Sequence, residues 1–115
     1  MKFLLNIYLE ESGSQVAHSH SADAAAFADN LRQSGELVDG QVFADPSTYT
    51  VLRIRNGEPV LTEGPYLASG VAASSYYVLD CDDLARAVEL AARYPATRFD
   101  AVEIRPLMTP AGWEM

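Results

Sequence analysis

Hydrophobic and polar residues alternate from the start of the chain. In residues 2–9, Phe3, Leu5, Ile7 and Leu9 fall on one side of an extended segment, and Leu4, Asn6 and Tyr8 on the other. That period of two predicts a strand. The polar stretch 10–21, with Gly13, His18 and His20, predicts a loop. Over residues 22–34 the period changes: Ala24, Phe27, Ala28 and Leu31 recur at helical spacing. Ser21 is the expected cap, Asp23 suits the positive first turn, and Gly35 the left-handed stop. Leu37 with Val38, and Val42 with Phe43, predict short strand pieces interrupted at Asp39 and Gly40. Asp45 and Pro46 mark a turn.

Residues 49–55 and 60–62 are rich in β-branched and apolar side chains, with Asn56 and Gly57 between them. Asn-Gly between two such runs predicts a hairpin with a type I′ turn, whose central residues both need positive φ. A turn at Glu63, Gly64, Pro65 and Tyr66 then leads into a small-residue loop, 67–73. Residues 75–79 predict a strand with Tyr76 and Val78 opposite Tyr77 and Leu79. Asp80, Asp82 and Asp83 crowd the start of a second helix, whose stripe is Leu84, Ala87, Val88 and Ala91 with Leu90 at its edge. Arg93 suits its negative end, and Pro95 prevents continuation. Val102, Ile104 and Leu107 predict a last strand, with Glu103 and Arg105 on its other face.

Strand, helix, several strands, helix, strand is the order of a split βαβ, or ferredoxin-like, α+β fold, here with an inserted hairpin. At 115 residues the chain is expected to form one domain, 1–115, large enough for a core without disulfide or metal staples. Two helices cover one face of such a sheet. The other face would present Leu4, Tyr8 and either Tyr76 or Tyr77, too apolar to leave wet, which predicts a homodimer closed sheet to sheet.

Composition narrows the partners. Eight Lys and Arg against sixteen Asp and Glu give a net charge of −8, which opposes nucleic acid and anionic membrane. One cysteine, Cys81, excludes an internal disulfide and a cysteine-built zinc site. No apolar run reaches the length of a membrane span, and Phe3-Leu4-Leu5 is broken too early for a signal peptide, so a cytoplasmic location is expected.

Several segments together resemble a known family. The run Asn56-Gly57-Glu58-Pro59-Val60-Leu61-Thr62-Glu63-Gly64-Pro65-Tyr66 is similar to the segment that names the DGPF branch of the YCII-related family. The likeness continues through Tyr76-Tyr77-Val78-Leu79-Asp80, Leu90-Ala91-Ala92-Arg93-Tyr94-Pro95 and Val102-Glu103-Ile104-Arg105-Pro106-Leu107-Met108. Residues 1–8 and 27–40 fit as well. The resemblance implies a dimeric α+β barrel of ferredoxin-like subunits, in a branch with no established reaction. It also implies a His/Asp pair in some members, with the histidine around Asp23 and the aspartate just before Pro95. This chain has Tyr94 at the second position, and its histidines precede the first. Glu63 and Tyr66 stand where the branch has Asp and Phe.

Three constellations carry candidate chemistry. If the first and last strands are neighbours, Asn6 and Tyr8 meet Glu103 and Arg105, with Tyr76 or Tyr77 nearby. Arg105 would orient an anion, Tyr8 donate a hydrogen bond and Glu103 accept one. An internal Glu103–Arg105 pair lining a dimer seam uses the same residues without a ligand, and buried charges pair for that reason too. Glu63 and Tyr66 read as a pocket lip or, on turn chemistry alone, as a tight turn. His18 and His20, with Glu10 or Glu11, fall short of a metal set, and no metal or cofactor is expected. His20 with Asp23 would be an acid–base pair only if held rigidly. Cys81 lies among acids that disfavour its thiolate. The leading functional expectation is small-molecule or regulatory binding, with no assigned catalytic residue. The alternatives are a cofactor-free lyase or isomerase using Glu63, Tyr8 or His20, and a partner-binding module.

Overall fold

Strands of alternating polarity and two helices with apolar faces can bury those faces only against each other. The computed structural model describes residues 1–10, 13–67, 71–95 and 101–108, and for 10, 13–21, 71 and 72 the backbone alone. In order, the elements are β1 (Lys2–Glu10), α1 (Gly13–Ser34), β2 (Leu37–Val42), a short 3-10 turn (Pro46–Thr48), β3 (Thr50–Arg55), β4 (Glu58–Glu63), β5 (Val71–Asp80), α2 (Leu84–Ala91) and β6 (Ala101–Pro106). Strands β2, β5, β1 and β6 lie in that order in a four-stranded sheet, and β3 pairs with β4 in a separate ribbon. The pairings of β1 with β5 and β6, and of β2 with β5, are all antiparallel. This is the ferredoxin-like α+β fold, with the ribbon inserted between its second and third sheet strands.

The core lies between the sheet and the helices. Phe3, Leu5, Ile7 and Leu9 of β1 and Tyr77 and Leu79 of β5 are buried against Phe27 and Leu31 of α1 and Ala87, Leu90 and Ala91 of α2. Phe27 stands edge-on to both Tyr77 and Tyr94, each with centroids 5.0 Å apart.

The hairpin forms as its Asn-Gly turn requires: Asn56 and Gly57 have φ of +53° and +78°. Gly35, at φ +78°, ends α1, and Asp83 caps α2 by accepting the Arg86 amide at 2.9 Å. Four expectations change. Most of the expected loop is regular structure: β1 takes Glu10 and α1 takes residues 13–21, so Ser21 is not its cap and Asp23 is not in its first turn. Those residues carry no apolar stripe to reveal a helix, but extending a helix by a turn is far easier than nucleating one. Strand β5 begins at Val71, absorbing part of the expected loop, with a register shift opposite Ile7 and Tyr8.

Strand β2 runs unbroken through Asp39 and Gly40, because a Cβ at Gly40 would sit 2.7 Å from Tyr77 Cδ1 and glycine alone lets the strand cross that ring. Finally, α2 is rotated from the expected stripe. Ala87, Leu90, Ala91 and the following Tyr94 are buried, while Leu84 and Val88 are exposed. The two largest groups at helical spacing, Leu90 and Tyr94, set which side faces the sheet.

Candidate functional site

The sheet face away from the helices is built by strand parity. With Phe3, Leu5 and Ile7 turned to the core, Leu4, Asn6 and Tyr8 must point to the opposite side. Register then fixes their neighbours. Asn6 stands opposite Tyr76 on β5 and Glu103 on β6, and Leu4 opposite Val78 and Arg105. Tyr76 therefore belongs to this face. Tyr77 does not: it lies in the core, its hydroxyl 3.4 Å from the Ala24 carbonyl, and it leaves the candidate group.

Three donors converge on one oxygen, Glu103 Oε1. Arg105 Nε donates at 2.6 Å, Asn6 Nδ2 at 3.4 Å and the Tyr8 hydroxyl at 3.5 Å. The first is a short charge-assisted bond and the other two are long. Arg105 accordingly holds the Glu103 carboxyl below its ordinary pKa, with Asn6 and Tyr8 adding to the effect against some desolvation. Glu103 in turn raises the Arg105 pKa. Both stay charged near neutrality, and the loosely bound Asn6 and Tyr8 donors can be drawn to another acceptor.

Beside this cluster stands an aromatic wall. Phe43 lies 5.8 Å from the Tyr76 ring and 6.3 Å from the Tyr49 ring, and the Tyr49 hydroxyl donates to the Ala73 carbonyl at 2.9 Å. Tyr76 donates to Asp39 Oδ2 at 3.1 Å, and that bond raises the pKa of its hydroxyl, keeping it a donor. Asp39, Phe43 and Tyr49 were not anticipated from sequence. Their positions depend on the β2 register, which shifts between Leu37 and Asp39 and leaves no periodic signal.

The remaining candidates lie elsewhere. Glu63 ends β4 and is exposed; Tyr66 follows it, exposed, with the Arg53 guanidinium 5.2 Å above its ring. Neither touches the Glu103 cluster through a described contact. His18 and His20 lie on the backbone of α1, and their side chains are outside the described residues. Among the described residues no group of three or more His, Cys, Asp or Glu side chains is placed to hold a metal ion. Cys81 is buried, and burial together with the Glu36 charge pushes its thiol pKa up, against nucleophilic use. At the positions where family likeness implies a His/Asp pair, Asp23 is half-buried on α1 and Tyr94 is in the core. Burial, first, and the charges of Tyr77 and Asp23 hold the Tyr94 hydroxyl protonated.

The family model of the YCII-related domain matches residues 1–110. The chain belongs to the YCII-related family. No curated protein sequence matches this YCII-related chain. Among solved structures it is similar to a 5-chloro-2-hydroxyhydroquinone dehydrochlorinase, TftG, from Burkholderia phenoliruptrix, in complex with 2,5-dihydroxybenzoquinone. The two share 16% identity over 97% of this chain and 99% of that one, with a TM-score of 0.54, a likeness of fold. Among the described residues of the YCII-related chain, no helix is long and apolar enough to cross a membrane.

Proposed function

We propose that this YCII-related protein binds a small, planar, hydroxylated molecule on the open face of its sheet, within a homodimer that covers that face. The observation that carries the reading is the convergence of Asn6, Tyr8 and Arg105 on Glu103 Oε1, one strand from the Tyr76–Phe43–Tyr49 wall. The wall offers apolar aromatic surface against which a ring can pack. Asn6 and Tyr8 offer donors to ring oxygens, and Glu103 an acceptor for a ring hydroxyl. Arg105 supplies the positive charge that an ionised ring oxygen would meet. The dihydroxybenzoquinone held by the dehydrochlorinase of similar fold is of this chemical kind.

Half-buried Leu4, Tyr8, Tyr76 and Val78, on a face that no helix covers among the described residues, support the dimer. Two such faces stacked sheet to sheet would enclose the ligand and remove that apolar surface from water.

The test is calorimetric titration with 2,5-dihydroxybenzoquinone of the native protein, of Arg105→Ala, and of Arg105→Ala/Glu103→Gln. Removing Arg105 alone strands the Glu103 carboxylate, and the double variant removes that complication. The expected result is saturable binding by the native protein, weakened at least tenfold in both variants, with near-native melting in the double variant. Binding unchanged in both variants, or no binding by the native protein, would refute the assignment.

A further inference from the structure

Among the described residues, the β3–β4 ribbon leaves one side exposed. It pairs with no strand of the four-stranded sheet. Cross-strand partners Leu52 with Leu61 and Ile54 with Pro59 put four apolar residues on one side of it. Leu52 and Ile54 are each 58% exposed and Leu61 69%. A lone two-stranded ribbon is marginally stable in water and needs a surface against that side.

Its root is anchored at the edge of the open sheet face. The Gly64 amide donates to the Tyr49 carbonyl at 2.7 Å, the Tyr49 hydroxyl holds the Ala73 carbonyl, and the Tyr49 ring packs on Phe43. From that edge, six residue pairs at about 3.3 Å per residue make an arm roughly 20 Å long, enough to extend beyond its own sheet to a neighbouring subunit.

Area points the same way. A four-stranded face of this length presents roughly 400 Å², about half of the roughly 800 Å² per partner in a stable interface. Adding one side of the arm, and the surface that receives the partner's arm, brings each subunit to about that size. Two copies of a chain with net charge −8 repel each other, so apolar surface of this kind must supply their attraction.

We propose that the β3–β4 ribbon is an exchanged arm: it lays its Leu52 and Leu61 side against a second copy of this chain and closes the edge of that copy's inter-sheet site. This rests on the sheet-to-sheet dimer proposed above. Each binding site then needs both subunits, its polar groups from one and its edge closure from the other.

The test is cross-linking from the arm together with sedimentation. Leu61→Cys in a Cys81→Ala background is labelled with a benzophenone and illuminated at micromolar protein. The expected product has the mass of two chains, its cross-link joining residue 61 of one to the other. A dimer by sedimentation with cross-links only within one chain, or none, overturns the exchanged arm and leaves the sheet-to-sheet dimer standing. A monomer by sedimentation overturns both. As a second variant, Leu52→Glu/Leu61→Glu leaves the sheet-and-helix core intact, so it should melt cooperatively and dimerise at least tenfold more weakly. Native dimer affinity in that variant refutes the arm.

Discussion

Replacing Gly40 by alanine tests the tightest approach between the strands and the core. The new methyl would lie 2.7 Å from Tyr77 Cδ1 and 3.2 Å from the Tyr76 carbonyl oxygen. Tyr77 cannot easily yield. It is almost wholly buried, stands edge-on to Phe27 at 5.0 Å, and its hydroxyl rests against Ala24. Forcing an extra carbon into such packing costs about 1–3 kcal/mol. Loss of glycine's freedom in the unfolded chain returns about 0.4–1 kcal/mol where the backbone suits alanine. A net loss of about 1–2 kcal/mol is left after that offset, or about 4–8 °C in Tm for a chain of this size.

The assay is urea unfolding followed by circular dichroism, in the native sequence and in Tyr77→Leu, which removes the ring. The loss should appear in the first background and largely vanish in the second, a coupling of about 1–2 kcal/mol between contacting residues. A neutral or stabilising Gly40→Ala in the native background, or an equal loss in both, would refute the close crossing of β2 over Tyr77.

Other outcomes follow from the same contacts. Tyr66→Ala should cost less than about 1 kcal/mol by the same unfolding assay, because the ring is exposed and gives up only its contact with Arg53, far below the roughly 3–5 kcal/mol of a buried aromatic. Glu36 accepts a two-pronged bond from Arg86, Nη2 to Oε1 at 2.6 Å and Nε to Oε2 at 2.9 Å, tying the start of β2 to α2. Arg86 holds the Glu36 carboxyl below its ordinary 4.5, so this pair stabilises the fold fully above that pH, and the gain is lost as pH falls through the lowered value. The melting-temperature gap between native protein and Glu36→Gln should therefore be largest near neutrality and close in acid; a gap independent of pH would contradict the assignment.

The fold was legible where one residue type forces a conformation or a long period repeats. Asn56 and Gly57 demand positive φ at two successive positions, and few backbones other than a I′ hairpin supply it. The alternation in β1 needs no knowledge of its partners. Helix α2 was legible as a helix but not in its orientation: Leu84 and Val88 fit a stripe as well as Leu90 and Tyr94 do, and tertiary packing of the larger pair decides. The start of α1 was not legible, since its first turns lack the apolar repeat by which pattern reading recognises a helix.

The candidate site divides along the same physical line. Side-chain parity alone places Asn6 and Tyr8 on the face away from Phe3 and Leu5, and ferredoxin-like topology then brings Glu103 and Arg105 beside them. Sharing a face needs no register, because a shift by two residues keeps the same face; which of them touch is set by the pairing of Asn6 with Glu103. Tyr76 and Tyr77 are a different case: adjacent residues on one strand face opposite ways, and only the pairing of Asn6 with Tyr76 selects between them. Asp39, Phe43 and Tyr49 lie further still from pattern reading, since a register shift and a turn separate them from any alternation. Each nevertheless stands where it does for a sequence reason. Gly40 lets β2 lie over Tyr77, which carries Asp39 to the Tyr76 hydroxyl, and Asp45 turns the chain by accepting the Ser47 amide at 2.9 Å before Tyr49 reaches Ala73. The polar half of the face is thus a consequence of strand order, and the aromatic half a consequence of one glycine and one turn.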